Sequence, residues 1–473
     1  MRFMGKTRLG FWTGPWLIAF VLAGHWVIAA PPPAGPPDEL DPPPREGARH
    51  SDPALDAKDS SHPAFMLLDE LVRDALHSNP SIRAARSRWA ASTKRPSQVS
   101  TLPNPEVGFS SMTSGNALPY STLGMGPVDW ASFMFTQKIP WPGKLALEGE
   151  MAETESARQA RDYQAVTLEI IREVKEAFFQ IHTLDRSREI LLKYRDLLDR
   201  FARISESRYG VGEGLMQDPL RAQVEISLIL ERLELLDVER ESLEARLNAL
   251  LNRPMDAPVG SLPAIDDSTI ELPFSLDKLY LLARERNPAI AAGRLDIQQA
   301  SLRLERSRKD FLPDFTVSAG YFLRGGEFRN MYEYRVGIEL PLYWRRKERM
   351  AVEESVENLQ GSRHEYERKL QDVAYRIKDS YIAARTSQRL LELYRGGVIP
   401  QATAALDSSI SSYHVGSLDF LTLSTNALTI LNYELQVQKE LGDYYRSLVR
   451  LEQQLGMNLV GTVSPSPSGV RQP

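Results

Sequence analysis

Histidine, cysteine and methionine are the side chains from which a metal site or a nucleophilic centre would be built, and their spacing in this chain builds neither. The seven histidines, His25, His50, His62, His77, His182, His364 and His414, include no pair at metal-ligand spacing and are expected as scattered surface residues. Cysteine is absent, which removes disulfides, thiolate ligands, thiol nucleophiles and cysteine lipidation together. The twelve methionines form no metal-collecting run, and those on helices read as core. No glycine-rich phosphate loop follows a strand, and no nucleophile motif is present. Charged runs such as Glu239-Arg240-Glu241 read as solvated helix faces. The expectation is a protein that is not an enzyme, holds no cofactor or metal, and takes its energy from a partner.

What remains is a set of polar residues at two glycine-containing turns. The first is Arg208-Tyr209-Gly210-Val211-Gly212-Glu213-Gly214, and the second is Tyr413-His414-Val415-Gly416-Ser417. Asp218 precedes Pro219, a pattern that fits a helix N-cap followed by a favoured first-turn proline.

These turns are members of a longer correspondence. Asn79-Pro80-Ser81-Ile82 matches Asn287-Pro288-Ala289-Ile290, Leu102-Pro103-Asn104 matches Leu312-Pro313-Asp314, Ile139-Pro140 matches Leu340-Pro341, and Arg246-Leu247 matches Arg450-Leu451. The offset between matched pairs is 208 residues at the first, 210 at Leu102-Pro103, 201 at Ile139-Pro140 and 204 thereafter. A period near 200 is far too long for a solenoid repeat of roughly 20 to 50 residues, so the chain reads as a duplicated domain. The order within each half is a helical stretch, two short alternating strands and a long helical hairpin.

The chain has 473 residues, 25% charged and 42% hydrophobic, with a net charge of −5. Mean hydropathy of −0.32 excludes a bundle of membrane helices, and the acidic balance speaks against nucleic acid as a partner. Arg2, Lys6 and Arg8 followed by an apolar stretch from Leu9 to Ala30 read as an export signal over 1–29. An uncleaved anchor helix is the rival reading of that stretch. Residues 30–62 read as a proline-rich linker, 63–256 as the first repeat, 257–273 as a second linker, 274–458 as the second repeat, and 459–473 as a disordered tail.

Strands are expected at about 104–113, 130–139, 314–323 and 332–340. Tyr332 to Leu340 alternates apolar and polar side chains without a slip, and Phe315, Val317, Ala319, Tyr321 and Leu323 form another apolar row. Strands of about 9 to 10 residues cross a bilayer when tilted. Trp130, Trp141, Tyr120, Tyr321, Tyr332, Tyr343 and Trp344 stand near strand ends, as an interfacial aromatic girdle would. Four strands cannot close a barrel, since small barrels need about eight, and an open edge in lipid leaves backbone groups unsatisfied. Several copies must therefore pool their strands, and three copies would supply twelve.

Between Lys144 and Arg208, Ile170, Val174, Ala177, Ile181, Leu184, Leu191, Leu198 and Phe201 step by threes and fours as in a coiled-coil seam. Roughly 65 such residues make a rod of ~100 Å. The second rod runs from about Trp344 to Ser412 with a kink at Pro400. Tips are expected at about 209–216 and 413–418. The helices at about 80–100 and 288–310 are too short to match the rods, so each should stack end to end with a return helix.

With these features assembled, residues 65 to 458 resemble the TolC-like outer-membrane efflux family. The resemblance implies a mainly α fold with a small β part: duplicated helical hairpins forming a trimeric α-barrel tunnel under a shared 12-stranded transmembrane β-barrel, four strands per chain. It implies a homotrimer in outer-membrane lipid that extends into the periplasm and works with a periplasmic adaptor and an inner-membrane RND-type pump. Phe133 to Lys144, with Trp141-Pro142-Gly143-Lys144, is similar to the branch associated with heavy-metal cation efflux. The exit duct of a type I protein secretion system shares the scaffold, and a periplasmic coiled-coil scaffold is the alternative from another class. By alignment on the turn glycines, the resemblance places adaptor contact and gating at Tyr209, Gly212, Glu213, Asp218, Tyr413, Gly416, Asp419, Thr422 and Thr425. Asp218 and Tyr413 fall on a latch that closes the tip. Leu418 stands where the family pattern has arginine, and Thr422 and Thr425 stand where aspartates often line a constriction, with Asp419 as the available acid.

Overall fold

The computed structural model describes residues 63–113, 118, 123–260, 262, 265, 272 and 274–460. The export signal, the proline-rich linker, Tyr120, His25, His50, His62 and the tail beyond 460 lie outside the described residues. The first half comprises α1 (Pro63–Ser78), α2 (Pro80–Ser92), α3 (Arg95–Val99), β1 (Glu106–Met112), β2 (Trp130–Ile139), α4 (Lys144–Gly210) and α5 (Gln217–Leu250). The second comprises α6 (Leu276–Arg286), α7 (Pro288–Lys309), β3 (Asp314–Leu323), β4 (Met331–Glu339), α8 (Glu348–Leu393), a π-helical turn (Tyr394–Val398), α9 (Ile399–His414) and α10 (Phe420–Leu455).

The repeated Asn-Pro pair is the joint that makes short helices into long ones. Asn79 takes extended backbone angles, and its side-chain oxygen accepts from the amides of Ser81 at 2.8 Å and Ile82 at 3.3 Å, while Pro80 opens α2. This caps a helix start whose first amides have no partner within the helix. The same side chain turns its Nδ2 the other way and donates to the Leu250 carbonyl at the end of α5, at 2.8 Å. Asn287 does likewise, accepting from Ala289 and Ile290 and donating to the Gln454 carbonyl at the end of α10, at 2.8 Å. Each return helix therefore meets the short helix of its own half end to end, as the mismatch in length required.

The four strands form one antiparallel sheet in the order β1-β2-β3-β4. β2 and β3 pair along Ala131–Ile139 and Phe315–Leu323, so the two halves share the sheet at its centre. Register then decides what each face carries, because cross-strand partners point to the same side. One face carries Val107, Phe109, Phe133, Phe135, Phe315, Val317, Tyr332, Tyr334, Val336 and Ile338. The opposite face carries Gly108, Ser110, Ser132, Thr136, Thr316, Ser318, Glu333 and Arg335, with Ser110 bonded to Ser132 at 2.9 Å and Thr136 to Ser318 at 3.0 Å. The apolar face is exposed to solvent in the isolated chain. Trp130 departs from the expected girdle: it shares parity with Ser132, and its ring meets Phe322 edge-on at 5.1 Å on the polar face.

The 67 residues of α4 make a rod of about 100 Å, and every residue of its predicted seam is buried. It packs on α5 and α10, and nearer the sheet on α2, α3 and α7. The second rod is interrupted. Pro400 lies in the first turn of α9 and the π-helical turn, with Gly396 and Gly397, comes just before it. A proline lacks the amide for its turn and crowds the carbonyl four residues back, and a wider turn there relieves both problems. Among the described residues no helix is long and apolar enough to cross a membrane.

Two polar residues read as surface groups are not. His182 is buried on α4, among the seam residues that include Phe178 and Phe179; a single polar residue on an apolar stripe rotates inward with its neighbours. Arg240 is half-buried and bridges elements, donating to Asp185 at 2.7 Å and to the carbonyls of Val259 and Gly260 at 3.1 and 3.3 Å. It thereby holds the start of the inter-repeat linker, whose Leu262 and Ile265 are buried, against the rods.

Candidate functional site at the helical tips

Both rods end by the same backbone device. In the first, the Gly212 amide donates to the Tyr209 carbonyl at 3.0 Å and the Glu213 amide to the Arg208 carbonyl at 2.8 Å. In the second, Gly416 donates to Tyr413 at 3.1 Å and Ser417 to Ser412 at 3.0 Å. These paired bonds are the Schellman termination, which needs a left-handed residue at its apex. Gly212 and Gly416 supply it with φ of 81° and 75°, values that cost a side-chain-bearing residue about 1 kcal/mol or more. The repeated tyrosine and glycine of the sequence therefore mark helix termination in both halves.

The return helices start differently. Asp419 is a true N-cap, with extended backbone and a carboxylate oxygen accepting from the Thr422 amide at 3.3 Å. Asp218 is not the cap expected from Asp-Pro. α5 begins at Gln217 behind Met216, whose backbone is already helical, so Asp218 lies inside the first turn. An acid there still faces the positive end of the helix dipole.

The fold brings four polar groups together across the two hairpins of one chain. Arg208, in the last turn of α4, lays its guanidinium over the Tyr413 ring at 5.0 Å from the centroid. Its Nη1 donates to the Tyr413 carbonyl at 2.5 Å. Burial pushes the Asp218 carboxyl above the ordinary aspartate value; the Leu215 amide pulls it down, the Asp419 charge pushes it up, and Arg208 pulls it down again. Burial likewise raises the Tyr413 phenol, with the Asp218 charge adding to the rise and Arg208 opposing it. The hydrogen bond from Thr422 holds Asp419 below the usual carboxylate range.

Of the residues singled out from sequence, Asp218, Tyr413 and Asp419 thus share one electrostatic neighbourhood. Tyr413 is buried at 4% exposure against Phe420, whereas its counterpart Tyr209 is 47% exposed. Glu213, Thr422 and Thr425 face solvent, and the Thr425 hydroxyl is occupied by the Leu421 carbonyl at 2.7 Å. Arg208 is the residue that sequence reasoning passed over. Its signal was a basic residue in the last turn of one rod, at the position where the other rod has Ser412. Around the cluster, Val211, Leu215, Met216 and Leu220 on the first tip and Val415 and Leu421 on the second are exposed. Among the described residues no group of three or more histidines, aspartates or glutamates gathers as for a metal ion.

This architecture has clear relatives. The chain is similar to the cobalt-zinc-cadmium resistance protein CzcC of Cupriavidus metallidurans, 23% identical over 407 residues that cover 83% of this chain and 90% of that protein. Its fold is similar to that of the outer membrane protein VceC of Vibrio cholerae, with a TM-score of 0.70 at 18% identity over 84% of this chain and 97% of VceC. CusC gives a TM-score of 0.70 at 15% identity over 82% of this chain and 92% of CusC. The family model described as outer membrane efflux protein matches residues 71–253 and 279–457, one segment in each half. With both halves matched and the sheet and hairpins arranged as described, the chain belongs to the outer membrane efflux protein family.

Proposed function

We propose that the protein is the passive exit duct of a tripartite efflux system: a homotrimer in the outer membrane that receives cargo from an inner-membrane RND-type pump through a periplasmic adaptor. The observation that carries this reading is the sheet. One face is mainly apolar, the other is mainly polar with cross-strand hydrogen bonds, and β1 and β4 stand at the two edges of the sheet. Such edges are not tolerated in hydrocarbon. Pairing β1 of one copy with β4 of the next closes a barrel whose apolar side meets lipid and whose polar side lines a lumen. The strand ends that join the helices then lie on the periplasmic side, and the rods project the tips toward the pump.

Within this reading the tip cluster is the latch, with Arg208, Asp218, Tyr413 and Asp419 holding the two hairpins of a chain together. The exposed apolar residues of both tips receive the adaptor. Heavy-metal cations are the cargo class favoured by the likeness to CzcC and by the Trp141-Pro142-Gly143-Lys144 corner. Membrane fractionation and gel analysis of the full-length chain test the duct: a heat-sensitive trimer in the outer membrane that conducts in planar bilayers is expected, and recovery as a soluble monomer overturns it. A deletion strain challenged with cobalt, zinc and cadmium salts, dyes and drugs tests the cargo. Selective metal sensitivity is expected, and broad drug sensitivity without it, or loss of a secreted protein, replaces the metal assignment.

A further inference from the structure

The two corners where strand gives way to rod are equivalent in sequence position and opposite in chemistry. In the first half, Lys144 is buried, with its Nζ 2.8 Å from Asp314 and 3.1 Å from the Leu312 carbonyl, and the Asp314 carboxylate also accepts from the Trp141 amide. That corner is satisfied internally. In the second half, Leu342, Tyr343 and Trp344 stand exposed and are followed by Arg345, Arg346 and Lys347, all exposed. The Arg345 guanidinium lies 5.2 Å from the Trp344 ring centroid. Lys347 is 3.8 Å from Glu348, the one carboxylate near these three cations in an ion pair among the described residues. Neighbouring acids are engaged elsewhere, Glu339 by Lys138 at 3.0 Å and Glu353 by Arg349 at 2.9 Å.

The geometry points to a binding surface for the headgroup of an anionic phospholipid at this second corner, in the leaflet nearest the helical tunnel. Three observations converge. Exposed Leu340, Leu342, Tyr343 and Trp344 follow directly on the apolar row that β4 ends at Ile338, so in an inserted barrel the corner lies where acyl chain gives way to headgroup. Trp344 and Tyr343 have the amphipathic rings that settle at that depth. The surplus of positive charge follows directly on Trp344 where the chain enters α8, and basic side chains at a membrane surface draw anionic lipid in this way. Arginine adds bidentate geometry for a phosphodiester oxygen pair. The inference rests on reading the sheet as membrane-inserted.

The test uses the full-length assembly in detergent, titrated with phosphatidylglycerol or phosphatidylcholine of the same chains and read by native mass spectrometry, beside the variant R345Q/R346Q/K347Q. The wild type should take up phosphatidylglycerol in preference, and the variant should lose that preference by about tenfold while still conducting in phosphatidylcholine bilayers. Equal uptake of the two lipids by a wild type that inserts and conducts overturns the lipid site and leaves the duct standing. A wild type that neither inserts nor conducts defeats the duct reading itself. Loss of both lipids together, loss of the trimer in the variant, or displacement of phosphatidylglycerol by millimolar inorganic phosphate also overturns the site.

Discussion

Arg208 reaches from the end of the first rod to Tyr413 at the end of the second, stacking on its ring and donating to its carbonyl. The two tips of a chain are thus tied by a charge-assisted hydrogen bond of ~1.5–3 kcal/mol and a cation–π contact of ~0.5–1 kcal/mol. Arg208→Ala removes both and leaves the rods intact. Single-channel conductance in planar bilayers should rise, with the trimer's heat stability on gels unchanged. Arg208→Lys keeps the charge but loses the planar stacking, and should fall between the two. Equal conductance in all three would separate the contact from gating.

Under the latch reading proposed above, the acid beside this contact gives tip closure a pH dependence whose sign follows from its surroundings. Burial and the Asp419 charge disfavour the ionised form of Asp218 more than Arg208 and the Leu215 amide favour it. A carboxyl raised in the closed tip and ordinary in the open one binds its proton better when closed. Closure is therefore strongest below the ordinary aspartate value of about 4 and weakens as pH rises through the shifted value. Tyr413 stays protonated throughout that window. Conductance of the wild type should increase with pH there, and Asp218→Asn should flatten the profile. A profile unchanged by the substitution would place the titration elsewhere.

Asn79 and Asn287 each do two jobs with one amide, and substitutions can part them. Asn79→Ser keeps a capping oxygen and loses the bridge to Leu250. Asn79→Ala loses the cap as well, at about 1 kcal/mol more. Asn79→Asp keeps the cap yet sets a carboxylate oxygen against the Leu250 carbonyl that Nδ2 now meets at 2.8 Å, in a site where an unpaired polar group costs ~1–3 kcal/mol or more. The expected order of heat stability for the trimer is wild type, Ser, Ala, then Asp, and the Asn287 series should follow it against Gln454.

These joints explain why so much of the fold was legible. The Asn-Pro pairs and the tyrosine-to-glycine turns solve the same local backbone problem twice, and local solutions leave letters behind. The alternation of Tyr332 to Leu340 is similarly direct, and counting parity from Phe133 and Phe135 would also have moved Trp130 to the polar face. What escaped depends on partners distant in sequence. Arg208 has no counterpart in the second rod, and its partner is 205 positions away. Asp218 reads as a cap until the structure starts its helix two residues earlier, at Gln217, and Arg240 reads as solvated until the inter-repeat linker folds back onto it.

A buried ion pair ties the end of the chain's core to the first rod. Lys175, 1% exposed at its side chain, donates to Glu452 at 2.7 Å, Asn458 at 2.6 Å and the Val460 carbonyl at 2.5 Å. Glu452 also accepts from the Leu459 and Val460 amides. Removing one charge strands the other, at ~3–5 kcal/mol, whereas replacing both by apolar groups of similar size is often neutral. Lys175→Met should lower the temperature at which the trimer dissociates and open the segment after α10 to proteolysis. Adding Glu452→Leu to Lys175→Met should restore part of that loss; if the double variant is no better than the single, the hydrogen bonds to 458–460 matter more than the charges.

Val336 and Arg335 are adjacent on β4 and point to opposite faces, which makes them a test of the barrel at one residue's resolution. Val336 pairs with Val317 on the apolar face and is 70% exposed in the isolated chain; Arg335 pairs with Ser318 on the polar face and bonds Glu333 at 2.6 Å. In a soluble sheet a charge at an exposed position costs little, so Val336→Arg would be tolerated. In a bilayer the same change sets a guanidinium near mid-depth in hydrocarbon, at ~2–4 kcal/mol per copy. The variant should therefore assemble poorly in the outer membrane and yield little heat-sensitive trimer. Arg335→Gln changes the lumen only, so assembly should be normal and the channel's cation-to-anion selectivity should shift toward cations. The opposite pattern, with Val336→Arg neutral and Arg335→Gln defective in assembly, would mean that the apolar face is turned away from lipid.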